Sequence, residues 1–127
     1  MRAEGVASRI SRKKPSLARQ LERAADSVPA AIAEGRGRAT DADFAHYISI
    51  AIGSVTEVES HLQRGYDGGL IPESEWKELT DSAVEVRRML YGLRKRLRGE
   101  GEPPAVPKPA LEASAEVAGS GLGSTLT

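Results

Sequence analysis

Cysteine is absent from all 127 residues. Its absence excludes in one step a disulfide framework, thiolate metal ligands and a cysteine nucleophile. Aromatic residues are nearly as scarce, with one Trp, three Tyr and one Phe, so any core must be aliphatic. No stretch approaches the ~18 to 20 apolar residues needed to span a bilayer, and the basic segment Met1 to Lys14 lacks the continuous apolar run of a signal peptide. The expectation is a soluble cytoplasmic protein that makes no membrane contact. Net charge is missing too, since the formal sum is zero. That zero conceals an asymmetry. Residues 99–127 carry Lys108 against Glu100, Glu102, Glu112 and Glu116, a balance of −3, which leaves +3 on residues 1–98. An excess of that size does not by itself announce a nucleic-acid binder.

What the chain does have is apolar periodicity. Trp76, Leu79, Ala83, Val86, Leu90, Leu93 and Leu97 recur at alternating steps of three and four, which keeps one narrow stripe on a long helix. A stripe of that length needs other helices to cover it. The spacing predicts a helix over about 72–98, with Pro72 in its first turn, Glu73 and Glu75 at its positive end, and Arg94, Lys95, Arg96 and Arg98 at its negative end. A second helix over about 40–64 opens at Thr40, whose hydroxyl can cap with Asp43 three residues on. Phe44, Ile48, Ala51, Val55, Val58 and Leu62 form its seam. Ala45, Ser49, Gly53, Thr56 and Ser60 form a neighbouring small-residue face, which predicts close approach of another helix at Gly53.

A further helix over about 16–34, capped by Ser16, places Leu17, Leu21, Ala24, Ala25, Val28 and Ile32 on one face. Pro29 within it predicts a kink or local break. Gly35 and Gly37 offer a left-handed cap at its end, and the glycines of Gly65-Tyr66-Asp67-Gly68-Gly69 predict a turn before the last helix. The organisation expected is a helical domain over 1–98, with the remnant of a first helix at about 3–12, followed by a Gly-, Pro- and Ala-rich tail over 99–127 that reads as disordered.

The run Leu17 to Gly35, with its Ser27-Val28-Pro29 and Ala33-Glu34-Gly35 elements, resembles the signature of the four helix bundle proteins, also called 23S rRNA intervening-sequence proteins. The similarity continues through Phe44, Tyr47, Ile50-Ala51-Ile52-Gly53-Ser54, Glu57 and Gly69-Leu70-Ile71, over roughly residues 8–98. The resemblance implies an all-α, up-down antiparallel four-helix bundle that assembles as a homopentamer. A related branch resembles the accessory proteins of diversity-generating retroelements, which implies reverse transcriptase and nucleic acid, RNA or DNA, as partners. The family has a long helix before the segment matching Ser16, whereas about fourteen residues precede it here. The bundle is therefore expected to be truncated at its first helix, or its native start to lie further upstream. Without that helix, the apolar seams of the other three are expected to be left partly uncovered.

Two readings of the basic residues stay open. Arg87, Tyr91, Arg94 and Arg98 fall on one stripe, flanked by Arg88 and Lys95. With Arg36 and Arg38 in the first turn, they suggest a phosphate-binding surface with Tyr91 available to stack on a base. The plainer reading is a solvated helix end whose cations oppose the dipole. His46 and His61 are fifteen residues apart on one helix, ~22 Å, too far to share a metal. No paired Glu-x-x-His motif of the di-iron bundles occurs, so neither a metal nor another cofactor is expected. Glu34 at a helix C-terminus calls for a compensating Arg38 or Arg23 in a structural ion pair. Trp76 reads as core. No constellation supports catalysis or a small-molecule substrate, and the leading expectation is a non-enzymatic homo-oligomeric bundle that acts through assembly.

Overall fold

A computed structural model describes residues 3–100, with side chains from Gly5 onward. Four helices follow one another: α1 (Ala3–Ile10), α2 (Pro15–Arg36), α3 (Asp41–Asp67) and α4 (Glu73–Leu97). The described residues are all-α and contain no strand. The tail assigned to 99–127 lies outside the described residues from 101 onward.

α3 is the central element, packed on α2 along one side and on α4 along another, while α1 packs on α2. A helix covered twice must be apolar over a broad arc. α3 accordingly buries Ala45, Ile48, Ala51, Ile52, Val55, Val58 and Leu62, whereas α4 buries only Leu79, Ala83 and Leu90. Contacts between neighbours run in opposite senses. Gln20 meets Arg64, Ser27 meets Ser54, and Gly35 sits against Phe44 and Tyr47. Tyr66 meets Trp76, Glu59 meets Arg87, and Ser49 meets Arg94.

The core has two parts. In one, Val6, Ala7 and Ile10 of α1 close over Leu17, Leu21, Val58, Leu62, Ile71 and Leu79. The other is built on α2, α3 and α4 without α1, from Val28, Ile48, Ala51, Val55, Ala83 and Leu90. Ile32, Phe44, Val86, Leu93 and Leu97 pack on this second part and remain half-buried. α1 supplies no residue to this second part of the core.

Several local expectations are corrected. Ser16 is not a cap. Pro15 opens α2, where a missing N–H costs nothing, and Lys14 stands at the cap position without a side-chain bond. Pro29 does not break α2, which is continuous from Pro15 to Arg36. Pro29 is exposed. Gly35 and Gly37 supply no left-handed cap, since Gly37 has φ −88° and Gly35 is inside the helix. A Cβ on Gly35 would stand 2.8 Å from Phe44 Cδ1 and 2.8 Å from Tyr47 Cβ, so its role is close packing.

α3 continues three residues beyond 64, through Gly65, where a Cβ would meet Ile71 Cδ1 at 2.7 Å. The reversal is made by Gly69, at φ +75°, with the Leu70 N–H donating to the Gly65 carbonyl at 2.8 Å. α4 ends the same way at Gly99, φ +72°, with the Glu100 N–H donating to the Lys95 carbonyl at 2.9 Å. The Thr40 cap holds, its hydroxyl accepting from the Asp43 N–H at 3.1 Å.

Gly53 is corrected as well. It is exposed, and a Cβ added to it would have nothing within 4 Å, so no other helix of the described residues approaches it. Replacing Gly53 by Ala should therefore stabilise the protein by roughly 1 kcal/mol through helix propensity. Gly65→Ala should destabilise it by about 1–3 kcal/mol, because the clash with Ile71 outweighs the same propensity gain. Urea unfolding of the two variants beside the parent checks both signs.

Candidate functional site

The seven basic residues singled out by the sequence divide into two groups. Three are held by partners. Arg87 donates from Nε to Glu59 Oε2 at 2.7 Å and from Nη2 to Glu59 Oε1 at 3.3 Å, clamping α4 to α3. The hydrogen bond to Glu59 raises the guanidinium pKa above its ordinary value, although partial burial opposes it. Arg94 donates to Ser49 Oγ at 3.0 Å and lies 5.0 Å from the Tyr91 ring centre. Arg38 donates to Glu34 at 3.3 Å and lies 5.4 Å from the Tyr47 ring. The Glu34–Arg38 pair is the compensation expected at the end of α2, and Arg23 is not needed for it.

Arg36, Arg88, Lys95 and Arg98 form the second group, exposed and without an ion pair among the described residues. Tyr91, Gly92, Arg94, Lys95, Arg98 and Glu100 line a shallow groove of about 310 Å³ at the end of α4. Arg36, the last residue of α2, and Arg38, in the α2–α3 turn, belong to the same end of the bundle, because the start of α3 packs against the ends of both α2 and α4. Glu100, Asp41 and Asp43 are acids of that end, so it is mixed in sign.

A second surface is apolar. Met89 is 62% exposed and Tyr91 41%. An open groove of about 550 Å³ runs along α4 past Met89, Leu90 and Leu93, edged by Glu85, Arg88 and Arg96.

The remaining singled-out residues serve the fold. Trp76 is half-buried and stacks on Tyr66, with ring centres 4.2 Å apart and planes within 10°. Its Nε1 and the Thr80 hydroxyl are buried without a hydrogen-bond partner among the described residues. Arg9 of α1 pairs with Glu75 beside it. His46 sits edge-on to Tyr47. No three His, Asp or Glu converge to hold a metal among the described residues, and no helix there is long and apolar enough to cross a membrane.

Sequence reasoning placed the Arg87 stripe but missed its partner. Glu59 lies 28 residues away on α3, and the signal available was only that both residues border a seam.

The fold and its surfaces define a helical bundle with one incompletely covered side. The chain belongs to the 23S rRNA-intervening sequence protein family, whose profile matches residues 6–92. No curated protein and no solved structure matches it. The matched region includes Arg36, Arg38, Arg87 and Arg88 and stops before Arg94, Lys95 and Arg98.

His61 gives this region a pH signature. Burial, aided by the nearby Arg64 and opposed by Glu57, lowers its pKa below the ordinary 6.5. The unfolded chain then binds the proton more readily, so stability is complete above about pH 6.5 and falls as the pH drops below it. His61→Gln should flatten that part of the curve, measured as urea midpoints between pH 5 and pH 8.

Proposed function

We propose that the protein is a non-enzymatic, cytoplasmic, homo-oligomeric bundle whose role is assembly and interaction. The observation that carries this reading is the uncovered half of the core. Val86, Leu93 and Leu97 stay half-buried where α1 does not reach, and Met89 beside them is 62% exposed. A contiguous apolar surface of this kind on a soluble domain is the mark of a contact site. The charged side chains with partners tie one helix to the next or cap a turn, which supports a structural rather than catalytic use of them. Family resemblance suggests five subunits in the assembled particle.

A second reading, an accessory factor for RNA or DNA, is favoured by one observation: Arg36, Arg88, Lys95 and Arg98 are exposed without ion-pair partners among the described residues. Engagement of Arg38, Arg87 and Arg94 within the protomer weighs against it.

Light scattering coupled to size exclusion, at low and moderate salt, tests the two. A discrete particle of several subunits at both salts is expected. A stable monomer would overturn the assembly reading. Co-elution with nucleic acid, lost steeply with salt at a log–log slope near ~0.9 per phosphate contact, would put the accessory reading first.

A further inference from the structure

The open groove of about 550 Å³ past Met89 is lined by residues of α4 alone. Its floor is apolar, with Met89 62% exposed and Leu93 half-buried. Gly92 keeps the middle open, since the nearest neighbouring atom to a Cβ built there would be Arg96 Nη1 at 3.8 Å. Arg88 and Arg96 stand exposed on the rim, eight residues or ~12 Å apart. Neither has an ion pair among the described residues. An apolar floor between two such cations suits a short segment that carries apolar and acidic side chains together.

The chain carries a segment of that chemistry just beyond α4. Residues 110–118 contain neither proline nor glycine, whereas Pro103, Pro104, Pro107 and Pro109 precede them and Gly119, Gly121 and Gly123 follow. Leu111, Ala115 and Ala118 recur at steps of four and three, with Glu112 and Glu116 beside them and no cation. Proline before and glycine after is the punctuation of a helix-forming sequence. Nine residues are too few to sustain a helix in water, so such a sequence needs a surface to lie on.

We infer that residues 110–118 dock in the α4 groove of their own chain, with Leu111 against Met89 and Leu93 and with Glu112 and Glu116 toward Arg96 and Arg88. The connection allows it. Gly99, at φ +72°, ends α4 in a reversal, with the Glu100 N–H donating to the Lys95 carbonyl. From Glu100 back to Gly92 is eight residues of helix, ~12 Å. The nine residues 101–109 reach ~28 Å at the ~3.1 Å per residue of an extended proline-rich chain, so length is not limiting.

Charge selects this groove over its neighbour. The adjoining groove of about 490 Å³ is edged by Glu78, Asp81 and Glu85, which would repel Glu112 and Glu116. Tethering selects the chain's own segment over another copy's. A contact that buries one leucine is weak between separate molecules, but a short linker holds the segment near the groove at an effective concentration in the millimolar range. Docking covers Met89, the most exposed apolar side chain of the face assigned above to self-assembly. The segment and a second copy therefore compete for that face, a consequence that rests on the self-assembly reading, whereas the docking itself does not.

The test uses the full chain and its lack of cysteine. Ser114→Cys supplies a single thiol for a paramagnetic nitroxide tag, and amide resonances are recorded in dilute solution. The tag should broaden the amides of Met89 to Arg96 and spare those of Glu78 to Ser82. Adding Glu112→Lys with Glu116→Lys should abolish the broadening and tighten self-association about ten-fold. No selective broadening of Met89 to Arg96 would overturn the docking. Broadening passed to an untagged, isotope-labelled copy in a mixed sample would overturn docking within one chain. Selective broadening with self-association unchanged by the two reversals would overturn the competition and leave the docking standing. A monomer at every concentration, with or without the reversals, would overturn self-assembly and the competition together, again leaving the docking to the amide signals.

Discussion

α3 has to be kept from water on two sides at once, and the rest of the bundle follows from that demand. Ile48, Val55, Val58 and Leu62 have no measurable exposure, and no single helix could cover all of them. α2 and α4 therefore flank α3 as separate walls, each needing only a narrow apolar stripe of its own. At ~1.5–3 kcal/mol for each large aliphatic side chain fully buried, these α3 residues are the largest local driving force in the domain. α1 adds Val6, Ala7 and Ile10 over one half. The other half is left to three helices, and its outer residues are half-covered as a direct result.

The helical seams were legible in the sequence because a period of 3.6 needs no knowledge of what lies opposite. Thr40 was legible for the same reason, since a cap is made within four residues. What depends on distant neighbours was not legible. Gly35, Gly53 and Gly65 look alike in sequence. Gly35 touches Phe44 and Tyr47, Gly65 touches Ile71, and Gly53 touches nothing. Only the tertiary arrangement separates the two used for packing from the one that is not.

The candidate basic surface was legible as a stripe and opaque as a site. Position on a helix says which cations are neighbours, not which of them a carboxylate on another helix has already taken. Arg87 and Arg88 are adjacent in sequence, yet Glu59 holds the first and no acid of the described protomer holds the second. α4 thus uses its cations in two ways: some bind it to α3, and others are left on the outer face. The same helix is half wall and half surface, which is why so few of its residues are deeply buried.

The aromatic stack has an optical consequence. Trp76 is the only tryptophan of the chain, and it packs with the part of the core that α1 closes, 4.2 Å from Tyr66. Its emission is therefore a local signal. Fluorescence will register the undocking of α1 and loosening around Ile71, and will be nearly blind to events around Ile48 and Leu90. A fluorescence transition that departs from the far-ultraviolet dichroism transition would mean that the two halves of this bundle come apart separately.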